Sequence, residues 1–356
     1  MAESISTEGL INELKKKFGE SSICRLGSSD KMMDIKVRSS GSIGLDIALG
    51  GGYPHGRPIE LSGKEKSGKT TLANLAIAEA QLMEPDKENA LIDLEYAYSP
   101  DWAKTLGVDV NKLFISQPDT YGENVYAMLE MMINSGRFAF IVLDSVAGIV
   151  PKDEFEQEDW DKESRVGGAS KLNARMVRKL VNTGILSKSG TTLILINQLR
   201  DAIGSFSPFG TPTTTNGGRS LKHGYSQQLE ISMGEQFAKG TGASKEILGQ
   251  KIKVRVVKNK VAPPHKHTEI DLYFDSGIDK IVELASVAKT VGVLQGTSWL
   301  KYINPLTGEM ILDAEGKEFK LNGLAKVIEY IREDTKSTGG KFYNEMYELV
   351  QEVLRG

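Results

Sequence analysis

The sequence predicts an α/β protein: a P-loop ATPase core with a mostly parallel central sheet, an N-terminal helix and a small C-terminal α/β domain. Three observations carry that expectation. Gly63-Lys64-Glu65-Lys66-Ser67-Gly68-Lys69-Thr70 is a complete G-x-x-x-x-G-K-[ST] phosphate-binding loop. It stands between an apolar run at 58–62 and a helix-like segment at 71–78, which is the strand–loop–helix setting such a loop needs. Between Arg57 and about Phe274, apolar runs at 90–93, 138–143, 191–196, 229–231, 252–257 and 270–274 alternate with helical periodicity at 72–83, 121–135 and 169–187. The middle runs are continuous, as expected of strands covered on both faces of a parallel sheet.

The ends of the chain read differently. Leu10, Ile11, Leu14 and Phe18 fall at helical spacing, so 8–18 is a short amphipathic helix ended by Gly19. A polar stretch around Ser28–Ser42 leashes it to the core, and a helix so small must pack on its own core or on a neighbouring subunit. After Gly277 comes a helix over 281–288, then a hairpin of 299–302 and 309–312 around Asn304-Pro305-Leu306-Thr307-Gly308, then helices near 322–333 and 342–354. The expected domains are 1–40 (oligomerisation helix and linker), 41–278 (ATPase core) and 279–356.

With 356 residues, 40% hydrophobic and 26% charged, the chain has the composition of an ordinary globular protein. No apolar run approaches a membrane span and the N-terminus lacks a signal-peptide pattern, so a cytoplasmic location is expected. The single cysteine, Cys24, suits a reducing compartment and, flanked by Ile23 and Leu26, is expected to be buried. The net charge of −3 argues against nucleic acid, but its distribution argues for it. Between Ser164 and Lys222, Arg165, Lys171, Arg175, Arg178, Lys179, Lys188, Arg200, Arg219 and Lys222 face one acid, Asp201. Lys251, Lys253, Arg255, Lys258, Lys260 and Lys266 form a second block with none. Such blocks in an acidic protein point to a polyanion partner, against the alternative of solvated faces.

The phosphate loop dictates chemistry. Its glycines, Gly63 and Gly68, let backbone N–H groups turn inward around phosphate oxygens; Lys69 reaches the β/γ-phosphates and Thr70 ligates Mg²⁺. The nucleotide set thus runs through Lys64, Glu65, Lys66, Ser67 and Thr71. Asp144 ends the apolar strand at 138–143, the Walker B pattern, and serves the same Mg²⁺. Glu95 follows another strand end, where it is either a water-orienting carboxylate or a surface glutamate. Gln198 ends the run at 194–197, where an amide can bond the γ-phosphate or its water, and leads into a polar Gly/Thr-rich loop over 203–218 with Phe206 and Phe209. So long a loop without structure is expected to be functional, its small polar residues suiting a phosphate backbone and its aromatics the bases. His265-Lys266-His267 has no partner at metal-binding spacing.

Together these residues resemble the bacterial RecA recombinase family. Lys17-Phe18-Gly19, Ile23-Cys24-Arg25-Leu26-Gly27, the stretch Ser40–Gly50, the phosphate loop, Ser116-Gln117-Pro118-Asp119-Thr120, Leu143-Asp144-Ser145-Val146-Ala147, Ile196-Asn197-Gln198-Leu199-Arg200 and Val256-Val257-Lys258-Asn259-Lys260 match it in order and spacing. The resemblance runs from about residue 10 to about 300 and more loosely to the end. It implies an ATP- and Mg²⁺-dependent helical filament of this chain on single-stranded DNA that pairs with duplex DNA and exchanges strands, served by single-strand-binding and loader proteins. By the family pattern Glu95 is the catalytic carboxylate, Gln198 the γ-phosphate sensor, and Lys258 and Lys260 reach a neighbour's γ-phosphate in trans. Trp102 takes the place of a base-stacking Tyr, with Asp101 and Pro264 near the base. Loops at about 155–167 and 203–218 face DNA, with Arg165, Lys171, Arg178, Arg200, Phe209, Thr213, Thr214, Asn216, Gly217, Gly218, Arg219 and Lys222 as the candidate contacts. The N-terminal helix docks on the adjacent protomer and the C-terminal domain gates duplex entry.

Several departures from the pattern fit a divergent bacterial or phage-encoded member. Lys64 and Lys66 enter the phosphate loop, the first DNA loop is acidic and carries Trp160, His223 replaces an aromatic, and the chain ends without an acidic tail. Other readings are a ring-forming motor ATPase, a small-molecule P-loop kinase, and a binding protein with a degenerate ATPase. The first lacks the leashed helix and the Lys258/Lys260 pair, the second leaves the basic blocks unexplained, and the third is opposed by an intact Lys69, Glu95, Asp144 and Gln198.

Overall fold

The computed structural model of the chain describes residues 6–20, 22–25, 35–158, 167–201, 213–215, 218–239, 245–312 and 316–355. They belong to two compact units, Met1–Val37 and Arg38–Gly356. In the first, helix Thr7–Phe18 begins where the Ser6 hydroxyl accepts from Gly9 N at 3.1 Å and ends at Gly19, whose φ of +98° needs no Cβ. None of its residues is buried, and Leu10 and Phe18 stand exposed. Cys24 is exposed too, against expectation. It follows the helix in an irregular stretch that contributes nothing to a core cluster, so apolar neighbours in sequence did not translate into burial.

The second unit is built on one large sheet. Strands Leu113–Ser116, Glu88–Asp93, Phe138–Asp144, Thr192–Asp201, Pro58–Gly63 and Gln227–Lys239 lie side by side in that order, all parallel. Glu246–Asn259, His267–Tyr273 and Gly277–Ile278 extend the sheet antiparallel. Successive residues of the central strands point to opposite faces and both faces are covered. Leu91, Val142 and Ile194 join the cluster under helix Lys69–Met83, while Ile92, Ile141 and Leu195 join the one under helices Gly122–Asn134 and Gly168–Asn182. This double burial is why the sequence shows unbroken apolar runs there.

Two expectations are refined. The helix expected over 169–187 is two helices, Gly168–Asn182 and Ile185–Ser189, because Gly184 takes φ +72° between them. The 203–218 loop is not wholly irregular: Thr213–Thr215 pairs antiparallel with the end of Thr192–Asp201, in the register Leu199↔Thr215, Arg200↔Thr214 and Asp201↔Thr213. Residues 202–212, including Phe206 and Phe209, and 159–166, including Trp160 and Arg165, lie outside the described residues, as do Asn216 and Gly217.

The C-terminal elements share a core around the ring contacts of Tyr302, Phe319, Tyr330 and Phe342, with centroids 5.0–5.9 Å apart. The expected hairpin turn forms at Asn304–Gly308, but its far side is reduced to isolated bridges at Met310 and Leu312. Trp299–Tyr302 spends its hydrogen bonds on Leu294–Gln295 and Lys320–Asn322 instead. Glu283, on helix Lys280–Thr290, accepts from Ser42 Oγ at 2.5 Å, Ile43 N at 3.1 Å and Gly44 N at 3.2 Å. It thereby caps helix Ile43–Leu49, and Ile43 enters the C-terminal core.

On that same helix Asp46 is buried, accepting from Ser39 Oγ at 2.6 Å and Ser40 N at 2.7 Å. Burial raises its carboxyl to about 7, above the 3.8 of an exposed aspartate. The folded state therefore holds a proton that the unfolded chain releases, so this contribution is full below about 4 and lost as pH rises through about 7. Asp46→Asn is expected to remove that loss, flattening the fall of unfolding free energy between pH 5 and 7 by up to about 1.4 kcal/mol per pH unit. Urea unfolding at three pH values measures it.

Candidate functional site

Four neighbouring parallel strands deliver their C-terminal ends to one edge of the sheet, the crevice where ligands of open α/β sheets bind. Register sets Gly63 beside Gln198 and Asp93 beside Asp144. From Gly63 the chain turns through the phosphate loop, with Lys66 at φ +59° and Gly68 at φ +97°, into helix Lys69–Met83. Neither loop glycine has room for a side chain. A Cβ at Gly63 would lie 2.4 Å from Ile231 O and from Ser67 Oγ, and one at Gly68 would lie 2.8 Å from Ile252 Cδ1. Lys69 Nζ is buried in the mouth of the loop, donating to Lys64 O at 2.7 Å and Gly63 O at 3.1 Å. Burial lowers its pKa, while Asp144, Glu95 and Glu65 pull it back up.

Around the lysine the carboxylates are organised by their neighbours. Thr70 Oγ1 donates to Asp144 Oδ2 at 2.7 Å. Asp144 is pushed up to about 6, first by burial, with Glu95 and Asp93 adding repulsion and the Thr70 hydroxyl opposing. Glu95 Oε1 takes two bonds, from Ser145 Oγ at 2.6 Å and from Gln198 Nε2 at 2.8 Å. Glu95 is exposed, yet its one oxygen joins the ends of three strands. Behind it, buried Asp93 accepts from Glu95 N and Tyr98 N at 3.1 Å and from Gln117 Nε2 at 2.9 Å, fixing the turn that carries Glu95.

A cavity of about 550 Å³ runs outward from Lys66–Thr71 past Trp102, Met233, Gln250, Leu272 and Phe274. The Trp102 indole donates to Thr71 Oγ1 at 3.3 Å. The structure brings neither Asp101 nor Pro264 into this lining; the Asp101 carboxylate is exposed and pairs with Lys104 at 3.2 Å. Nor does it bring Lys258 and Lys260 to their own chain's phosphate loop. Register puts Lys258 beside Gln228 and so level with Glu60, back from the loop. There Lys258 Nζ donates to Lys222 O at 2.5 Å and Lys260 Nζ to His223 O at 3.2 Å. The buried Glu60 nearby accepts from Asn197 Nδ2 at 3.0 Å and Gln228 Nε2 at 2.7 Å, and burial raises its pKa.

The basic blocks separate in space. In the second, Lys251 pairs with Asp271 at 2.8 Å, Lys253 with Glu269 at 3.4 Å, and Arg255 with Glu230. Acids on adjacent strands thus pair with three of its six cations, a pairing invisible in a linear count. In the first, Lys171, Arg175 and Arg178 share the exposed side of helix Gly168–Asn182, whose Leu172, Met176, Val177 and Leu180 are buried. Helix Gly218–Gly224 packs on it through Leu221 and Gly224, where a Cβ would meet Val177 Cγ1 at 2.0 Å, so Lys222 joins the same neighbourhood. Arg200, Thr213, Thr214, Gly218 and Arg219 are placed by backbone alone, on the strand pair after Gln198 and on the helix that follows it.

The profile of the RecA N-terminal domain matches residues 6–279. The chain belongs to the RecA family. It is 44% identical over 304 residues to Protein RecA of Chlorobaculum parvum, covering 84% of this chain and 83% of that protein. Protein RecA of Thermus aquaticus is 42% identical over 330 residues (92% and 89%), and that of Mycoplasma mycoides subsp. mycoides SC is 40% identical over 346 residues (97% and 91%). Like its family, this protein is a DNA-dependent ATPase that uses ATP with Mg²⁺, binds single- and double-stranded DNA as a homo-oligomeric filament, and exchanges strands. No helix among its described residues is long and apolar enough to cross a membrane.

The residues present fit the nucleotide. Ser67 Oγ is buried in the loop without a hydrogen-bond partner, and the glycines leave the loop backbone bare. No group of three or more metal-ligating side chains occurs among the described residues. Thr70 Oγ1 and Asp144 Oδ2, 2.7 Å apart at the start of the helix, are hard oxygen donors of the kind Mg²⁺ takes, and would hold it. Met233, Gln250, Leu272 and Phe274 escaped the sequence reading. Met233, Gln250 and Leu272 lie on strands late in the chain and Phe274 just after one, and no local motif marks them. Gly63→Ala is expected to destabilise the fold by about 1–3 kcal/mol and weaken nucleotide binding at least about tenfold, since its Cβ must displace Ile231 O. Urea unfolding and titration with a fluorescent ATP analogue measure both.

Proposed function

We propose that the oxygen shared by Ser145, Glu95 and Gln198 is the point at which this recombinase couples ATP to DNA. The observation that carries the reading is the bond from Gln198 Nε2 to Glu95 Oε1 at 2.8 Å, one residue before the strand pair that forms the stem of the 203–218 loop. ATP supplies the γ-phosphoryl group, and Mg²⁺ neutralises its charge. Lys69 leaves its loop carbonyls for the β/γ-phosphates, and Thr70 and Asp144 hold Mg²⁺. Ser145 keeps Glu95 aimed at the attacking water; as the water oxygen bonds to the γ-phosphorus and the bond to the bridging oxygen of departing ADP breaks, Glu95 accepts the water's proton. Gln198 exchanges Glu95 for the γ-phosphate, and the stem follows it, setting the loop for DNA.

Lys171, Arg178 and Lys222, with Arg165, Arg200, Phe209, Thr213, Thr214, Asn216, Gly217, Gly218 and Arg219, form the DNA face in this reading. Lys258 and Lys260 serve the γ-phosphate of the next protomer, which their distance from their own phosphate loop supports. Trp102 stacks on the base, and Asp101 and Pro264 approach it only in the assembled filament. The exposed apolar side of Thr7–Phe18 docks on an adjacent protomer, and 279–356 gates duplex entry. The protein works in the cytoplasm, with single-strand-binding and loader proteins as further partners.

Hydrolysis measured with and without single-stranded DNA tests this. DNA is expected to stimulate the wild type, and Lys69→Ala is expected to be inactive in both conditions. Glu95→Gln is expected to lose about 10²–10⁴-fold in kcat with nucleotide affinity kept. Lys258→Ala is expected to bind nucleotide normally as a protomer and to lose about 10³-fold or more of the stimulated rate. Hydrolysis indifferent to DNA would overturn the coupling.

A further inference from the structure

The cavity that begins at the phosphate loop has an outer half of different chemistry. Beyond Thr71 its walls are Trp102, Met233, Leu272 and Phe274, all apolar or aromatic, and one amide, Gln250. Gln250 lies on strand Glu246–Asn259 directly opposite Leu272 of His267–Tyr273, and opposed residues of an antiparallel pair share a face. Two residues further on, on that face, Ile252 closes against Gly68 of the phosphate loop. The wall therefore leads from the phosphate loop outward to Gln250.

The other polar groups on this side are committed. The Trp102 indole N–H is bonded to Thr71, the Tyr98 hydroxyl donates to Asn74 Oδ1 at 3.0 Å, and the Asp101 carboxylate faces Lys104. Gln250 is only 9% exposed, and among the described residues its side-chain amide has no protein hydrogen-bond partner. Its amide opens on the cavity, where a ligand can partner it.

We propose that Gln250 reads the base: its amide oxygen accepts from the 6-amino group of adenine while its Nε2 donates to N7. A carboxamide matches that donor–acceptor edge in a bidentate pair. On that edge guanine and hypoxanthine present two acceptors, O6 and N7, so in either orientation the amide can donate to only one and sets its oxygen against the other. Stacking between Trp102 and the Phe274 side of the cavity holds any purine, and Gln250 supplies the preference among them. The inference rests on the assignment of this cavity to the nucleotide.

Equilibrium binding of non-hydrolysable adenosine, inosine and guanosine triphosphate analogues, with inorganic tripolyphosphate as a base-free probe, tests it. The wild type is expected to favour the adenosine over the inosine analogue by about tenfold. Gln250→Met, of similar length, is expected to bring the two within about twofold, chiefly by weakening the adenosine analogue, and to leave tripolyphosphate binding unchanged. Gln250→Leu repeats the test should the methionine variant fold poorly, and retained tripolyphosphate binding reports an intact phosphate loop. Undiminished discrimination by either variant, or an equal loss for all three nucleosides, would overturn the role of Gln250. If instead Lys69→Ala leaves every probe bound as in the wild type, the nucleotide assignment of the cavity itself has failed.

Discussion

Everything at the site depends on one constraint: four adjacent parallel strands, buried on both faces, must end together. Pro58–Gly63, Thr192–Asp201, Phe138–Asp144 and Glu88–Asp93 are hydrogen-bonded in that order. Their apolar interiors fix the register, because a slip of one residue would exchange the two core faces. The polar residues at their ends then have no choice of neighbour. Lys69, Gln198, Asp144 with Ser145, and Glu95 converge because Leu61, Ile194, Val142 and Leu91 are packed behind them in a single cluster.

Crowding of like charges is the consequence, and the structure manages it with neutral hydroxyls and amides. Asp93, Glu95 and Asp144 stand near one another, and Asp144 is raised to about 6. Thr70, Ser145, Gln117 and Gln198 each give a hydrogen bond to one of these carboxylates. Such bonds are exchangeable. In the proposed coupling, Lys69 and Mg²⁺ bring positive charge to a phosphate, the carboxylates gain better partners and the amide of Gln198 is released from Glu95. That release would be passed to the strand pair at Leu199–Asp201 and Thr213–Thr215, which continues from the same backbone.

The phosphate loop and the ends of the apolar runs were legible in the sequence because each is a local pattern. Lys69 belongs to the loop motif itself, Asp144 and Gln198 sit where the runs stop, and Glu95 lies two residues past one. The base-side wall was not legible, since Gln250 and Phe274 meet Trp102 only through pairing of strands distant in sequence. Charge counting misled at Lys251–Arg255, where Glu230, Glu269 and Asp271 neutralise the block from neighbouring strands. Cys24 misled for a related reason: flanking Ile23 and Leu26 describe composition, and burial needs an element to carry them into a core. Helix boundaries failed at Gly184, whose positive φ outweighed the helical periodicity on either side.

The most direct test of the central claim is the affinity of Gln198→Met for single-stranded DNA, measured with and without a slowly hydrolysed ATP analogue. The bond to Glu95 is the only described side-chain link between the carboxylate cluster and the loop stem. The account predicts that the variant binds the analogue as the wild type does, while the analogue no longer raises its affinity for DNA. A variant whose DNA affinity still rises with the analogue by the wild-type factor would contradict it, and would place the coupling elsewhere in the protein.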